Sequence, residues 1–134
     1  MPFPNIDYCL VCEVARAEVG NKLMILGFYG LAPNVDIFVD DFTAPLNLTF
    51  VMGIGIANQE QEYGIVLTVT KPDGSTLIQI QPARLQVSPT SRGVFVVSIL
   101  ARLPLAGRYG LRVTTNSEVK LETTFAIRAR TAQT

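Results

Sequence analysis

The chain has 134 residues, enough for one domain, residues 1–134, whose core needs neither disulfide nor metal. Charged residues make up 16% against a usual share of about 25%, and 11 Lys and Arg balance 11 Asp and Glu, so no global field draws nucleic acid or an anionic membrane. With 49% hydrophobic residues, apolar groups outnumber the positions a small core can hide, and the surplus is expected to face another protein chain.

The N-terminal MPFPNIDYC has neither the basic stretch nor the apolar core of a secretory leader, so a cytoplasmic chain is expected. No run of about 18 apolar residues occurs, which excludes a helical membrane span. Residues 9–31, CLVCEVARAEVGNKLMILGFYGL, come next. Ala and Glu in CEVARAEV suit a helix, but the turn at residues 20–22 and the β-favouring Ile, Phe and Tyr beyond it favour a hairpin. In a strand, Tyr8, Leu10, Cys12 and Val14 point to one side while Cys9, Val11, Glu13 and Ala15 point to the other. The two thiols then diverge, which rules out a mutual disulfide or a shared metal, and no histidine or third cysteine completes a zinc site. They read as structural. The second strand is apolar on both parities, with Leu23, Ile25 and Tyr29 on one and Met24, Leu26 and Phe28 on the other. Such a strand belongs between two covering layers or at a subunit contact.

Residues 34–42, NVDIFVDDF, hold the densest acidic group, Asp36, Asp40 and Asp41. Residues 45–56, PLNLTFVMGIGI, alternate: Leu46, Leu48, Phe50, Met52, Ile54 and Ile56 on one parity, Asn47, Thr49, Val51, Gly53 and Gly55 on the other. Period two predicts a strand with one buried face. Polar residues 57–64 read as a loop, and residues 63–80 as a hairpin turning at Pro72, Asp73 and Gly74, where proline presets φ and glycine accepts a positive one. Residues 86–93 form a second polar loop. Residues 93–115, GVFVVSILARLPLAGRYGLRVTT, read as a hairpin around Pro104 and Gly107, with Phe95, Val97, Ile99, Tyr109, Leu111 and Val113 inward. After a turn at Asn116 and Ser117, Val119, Leu121, Phe125 and Ile127 oppose Lys120, Glu122, Thr124 and Arg128. About eight or nine strands result, and their spacing predicts an all-β, antiparallel β-sandwich.

Catalytic signals are weak. Without histidine, the usual Ser-His and Cys-His nucleophile pairs cannot be built, and no cofactor motif is present. Asp36, Asp40 and Asp41 could form a weak cation site or a carboxylate pair, against the plainer reading of a solvated edge. If Leu103 pairs with Tyr109, then Arg102 and Arg112 lie diagonally across the hairpin with Arg108 at its turn, an anion patch in prospect; solvated arginines or pairs with Glu118 and Glu122 are the alternative. Gly53 and Gly55 read as room for an aromatic side chain over the sheet, not as a phosphate cradle, since no helix follows.

The order C-E-x-x-R-x-E, GNKLMILGFYG, TVTKPDGSTL and LPLAGRYGLRVTTN resembles a family of small bacterial proteins without an assigned function. Gly20, Lys22, Leu23, Ile25 or Leu26, Gly27 and Tyr29 carry most of the likeness. It implies an Ig-like or related sandwich and brings no active site. Two functional readings stand beside that of an enzyme with an unrecognised carboxylate site: a non-enzymatic module acting through protein contacts, most simply as a homo-oligomer, and a small-ligand or carbohydrate-binding domain using Tyr29, Tyr63 and Phe38.

Overall fold

The computed structural model describes residues 4–18, 22–81, 84–115 and 118–130. Eleven strands form: β1 (Ile6–Glu18), β2 (Lys22–Leu31), β3 (Asp36–Val39), β4 (Leu46–Ile54), β5 (Gln61–Tyr63), β6 (Val66–Thr70), β7 (Thr76–Ile80), β8 (Leu85–Val87), β9 (Gly93–Ala101), β10 (Gly107–Thr115) and β11 (Glu118–Ala129). No helix occurs among the described residues, and so none is long and apolar enough to cross a membrane. A four-stranded sheet, ordered β2-β1-β4-β9, packs on a five-stranded sheet, ordered β3-β11-β10-β6-β7, while β5 and β8 make a small sheet of their own. The all-β sandwich expected from period-two alternation is therefore the fold.

Eleven strands exceed the expected eight or nine for local reasons. Strands β5 and β8 lie in or beside the two polar segments read as loops and pair only with each other, and β3 has four residues, too few to display a parity. Strand β3 also runs parallel to β11, the exception in an otherwise antiparallel fold. The turns at residues 20–21 and 116–117 lie outside the described residues, but the strands flanking them pair antiparallel as expected, Glu18 with Lys22 and Thr115 with Glu118.

Strand β4 is buried on both faces, not one, because β1 and β9 flank it and outer-face side chains close over Thr49 and Val51. Its Gly53 is the place where an aromatic covers the sheet: a Cβ there would overlap the Tyr8 ring. The hairpin at Pro72 forms as expected, with Gly74 at φ 90° and the Asp73 carboxylate accepting bonds from Ser75 N–H (2.9 Å) and Oγ–H (2.6 Å).

The expected hairpin from Phe95 to Val113 does not form. Strand β9 pairs with β4 in one sheet and β10 with β6 and β11 in the other, so residues 102–106 cross between the layers. Leu103 is buried within that crossing, and Tyr109, fully buried, donates its hydroxyl proton to the Leu105 carbonyl (2.7 Å) while accepting the Leu105 N–H (3.1 Å). This is the tyrosine corner of β-sandwiches, a side chain fastening a strand to the connection that feeds it. The same ring stacks on Phe125 (centroids 5.6 Å apart), and Phe125 meets Phe50 of the opposite sheet (5.8 Å). A chain of three aromatics thus ties the layers together, each contact contributing about 0.5–1.5 kcal/mol beyond area burial. In β11 the inward series breaks at Val119, which is 51% exposed, because a bulge opposes Val113 to Leu121 but Thr114 to Val119.

Replacing Tyr109 by Phe keeps the ring packing and removes both bonds to Leu105. Urea unfolding is expected to show a loss of about 1–2 kcal/mol with an unchanged m-value.

Candidate interaction surface

The two sheets bury their inner faces against each other, and their outer faces differ in kind. On the five-stranded sheet the outward positions are mostly polar, with Arg108, Arg112 and Thr114 on β10, Glu122 and Thr124 on β11, Thr68 and Thr70 on β6, and with Phe38 and Val119 as exposed apolar exceptions. Ion pairs cross it from Arg112 to Glu122 (3.2 Å) and from Arg128 to Asp36 (2.7 Å).

The outer face of the four-stranded sheet is apolar. Register fixes which side chains share it: Tyr8 lies opposite Gly53, Leu10 opposite Val51, Cys12 opposite Thr49, and on the far side of β1 Phe28 and Leu26 face Cys12 and Val14. Across β4, Val51 pairs with Val96 and Gly53 with Val94. Phe28 is 59% exposed, and Leu26, Met24, Val94 and Leu100 are also exposed. Between Tyr8 and Val14 on β1, and from Val94 to Leu100 on β9, no charged side chain points outward. Arg16 and Lys22 stand at one end of this face and the Asp7–Arg92 ion pair at the other. Its polar centre is self-contained: the Thr49 hydroxyl donates to the Glu13 carbonyl (3.0 Å), which leaves it to accept from Ser98 (2.9 Å).

Strand β2 is the edge of this sheet, and its parity is as read: Leu23, Ile25 and Tyr29 half-buried, Met24, Leu26 and Phe28 exposed. Strand β4 accompanies β1 only as far as Cys12, so beyond that point β1 and β2 continue as a two-stranded ribbon. Such a ribbon is marginal in water by itself.

The residues singled out for chemistry are dispersed. Arg102 lies in the crossing connection and Arg108 and Arg112 on β10, so the anion patch that required a β9–β10 hairpin is not assembled. Arg112 holds Glu122, and Arg108 donates to Thr124 Oγ1 (3.0 Å) and the Pro33 carbonyl (3.4 Å). Asp36 is taken by Arg128 and Asp40 lies 3.6 Å from Arg130. Asp41 accepts from the Thr43 N–H (2.8 Å) and hydroxyl (2.6 Å), and those bonds hold its carboxyl below the usual range. Among the described residues no cluster of three or more His, Cys, Asp or Glu could hold a metal. Of the three aromatics considered for sugar stacking, Tyr63 is buried, Tyr29 is half-buried with its hydroxyl donated to Glu13 (3.4 Å), and only Phe38 is exposed. Sequence reading did not find the tyrosine corner, although Gly107 two residues before Tyr109, after a proline connection, was its signal.

No family model matches the chain, and no curated protein matches it. Among solved structures it is similar to the C-terminal domain of wzt, at 10% identity over 99% of this chain and 77% of that one, with a TM-score of 0.53. It is also similar to part of the Pseudomonas fluorescens alkylpurine DNA glycosylase AlkC bound to DNA containing an abasic site analog, at 16% identity and a TM-score of 0.51, covering 73% of this chain and 29% of that one. An immunoglobulin-like protein from Pseudomonas aeruginosa matches at 15% identity over 92% of this chain and 95% of that one, TM-score 0.47. The chain thus spans less than a third of the glycosylase, and at these identities the likenesses speak to the sandwich fold alone.

Both cysteines are free and buried, Cys9 in the core between the sheets and Cys12 toward the outer face beneath its neighbours. Burial pushes the Cys9 thiol from 9.0 up to about 12 and raises Cys12 as well, with the Glu13 charge adding to the latter. The native state therefore keeps a proton on Cys9 that the unfolded chain releases above pH 9, so stability is complete below that pH and falls as pH rises toward 12. Denaturant titrations from pH 8 to 11 are expected to show a loss approaching about 1.4 kcal/mol per pH unit from this thiol. A thiol reagent at pH 8 is expected to label both cysteines only after unfolding.

Proposed function

We propose that the chain is a non-enzymatic interaction module that works through protein–protein contacts and associates with copies of itself. One observation carries this reading: of two outer faces on one sandwich, only that of β2-β1-β4-β9 is apolar over most of its extent. Monomers rarely expose contiguous apolar patches beyond a few hundred Å². Because the face is nearly free of charge, a second copy meets it without opposing like charges, as a self-complementary interface requires. The carboxylates and arginines that a catalytic or ligand site would draw on are instead engaged with one another at the surface, which supports a contact role over a chemical one. A reducing, cytoplasmic compartment suits two thiols left unpaired.

Sedimentation velocity between 1 and 100 µM is expected to show a mass rising from the 14.6 kDa of one chain toward twice that. A strict monomer throughout that range overturns self-association.

A further inference from the structure

The two main sheets end in four edge strands, β2, β9, β3 and β7, and three of these are blunted. Strand β2 bulges at Tyr29, which has no opposite residue between the Cys12–Phe28 and Val11–Gly30 pairs, and Gly27 and Gly30 on either side take φ of 65° and 145°. Strand β7 has five residues and bulges at Leu77. Strand β3 has four and begins on a charge, Asp36. Bulges, shortness and charge are the devices by which a sheet edge avoids pairing with another chain.

Strand β9 has none of them. Its nine residues, GVFVVSILA, pair one to one with β4 from Gly93–Ile54 to Ala101–Leu46 without a shift, and they contain no charge, no proline and no interior glycine. In an antiparallel strand every second residue turns its N–H and C=O away from a given neighbour, so half of the backbone groups of β9 face its open side. Among the described residues its backbone bonds go to β4 alone, and β8 adjoins it without pairing. The core is also least sealed here: Phe95 and Ile99 keep 8% and 7% exposure, where their β4 partners Met52 and Leu48 keep 0%.

A row of alternating backbone donors and acceptors is filled along its whole length only by another extended strand. The same strand of a second copy fits on two counts. It carries no charge, so an antiparallel meeting within β9 sets no like charges opposite. Each copy has one unblunted edge, so pairing consumes both, and the assembly closes about a two-fold axis instead of growing. The register follows from what lies at the Gly93 end. There the segment after β8 is fastened beside the continuation of β4, Ala57 N–H to Ser88 C=O at 2.9 Å, and Arg92 follows it. An axis at Val97 would drive the partner's Arg102 against Arg92 in this crowded end. An axis at Ser98 keeps clear of it and sets Phe95 opposite Ala101, Val96 opposite Leu100 and Val97 opposite Ile99.

We propose that β9 of a second copy pairs antiparallel with β9 about a two-fold axis at Ser98, joining the two four-stranded sheets into one of eight strands. This rests on the self-association reading and names its contact, the edge of the apolar sheet.

The test uses the full chain. Across the concentrations over which sedimentation shows monomer becoming dimer, amide hydrogen exchange at alternate residues between Phe95 and Ala101 is expected to slow roughly tenfold or more, while the edge amides of β2 and β7 are unchanged. Val96 and Leu100 are exposed in the monomer, so charges are accepted there with an unchanged circular dichroism spectrum. Val96→Lys with Leu100→Lys sets like charges opposite across the axis and is expected to weaken the dimer about tenfold relative to Val96→Lys with Leu100→Glu, which sets opposite ones. A dimer whose β9 amides exchange as fast as the monomer's overturns the edge contact and leaves self-association standing. Equal affinities of the two charge variants overturn the register. A wild-type chain that stays monomeric overturns both the contact and the reading beneath it.

Discussion

A strand has two faces and a two-layer sandwich has one interior, so each sheet can bury only one of its faces internally. Everything else about this molecule depends on how the sequence meets that constraint. The central strand of the five-stranded sheet meets it: Tyr109, Leu111 and Val113 go in, Arg108 and Arg112 go out. The four-stranded sheet does not. Its inner face contributes Cys9, Val11, Phe50, Met52, Phe95 and Val97 to the core, and its outer face is then apolar a second time, in Leu10, Val51, Phe28 and Val96.

That imbalance locates the surplus visible in composition. Side chains such as Phe28 and Leu100 stay more than half exposed, so folding of the single chain recovers only part of their transfer free energy. Their apolar character has no sufficient explanation within the monomer, whereas that of Val51, buried between its neighbours, has one. The aromatic chain Phe50, Phe125 and Tyr109 and the Leu105 corner fasten the two layers without any help from the outer face. Exposed outer-face side chains such as Phe28 can therefore be substituted with little disturbance of the core.

How much of this could be read beforehand divides along a physical line. Parity is local, and it was legible: it placed the inward residues of β9 and β10, diverged Cys9 from Cys12, and marked β2 as apolar on both faces. Pairing is not local. Pro104 and Gly107 announce a change of direction, and the same residues serve a tight hairpin and a crossing between layers equally well. Only the burial of Leu103 and the reach of Tyr109 back to Leu105 decide for the crossing. The arginine patch depended on the hairpin and fell with it. Strands as short as β5 and β8 carry no parity to read, and the bulge that turns Val119 outward is a matter of register with β10.

The apolar outer face was legible in β1 and β2 and not in β4 and β9: the parity of β1 already set Tyr8, Leu10, Cys12 and Val14 on one side. In LMILGFYGL both parities are apolar, so an outward apolar row follows wherever the strand lies. For β4 and β9 the outward residues are Thr49, Val51 and Gly53, and Val94, Val96, Ser98 and Leu100, a mixture that reads as an ordinary wet face until the strands are set side by side. Adjacency converts it: the polar atoms of Thr49 and Ser98 satisfy each other and the Glu13 carbonyl, Tyr8 covers Gly53, and the remainder is hydrocarbon. A surface of this kind is a property of neighbouring strands, and it comes into existence only when long-range pairing has brought Leu10, Val51 and Val96 onto one line. The apolar outer row is thus specified by the same non-local registers that specify the core, so a register slip of one residue would disturb both together.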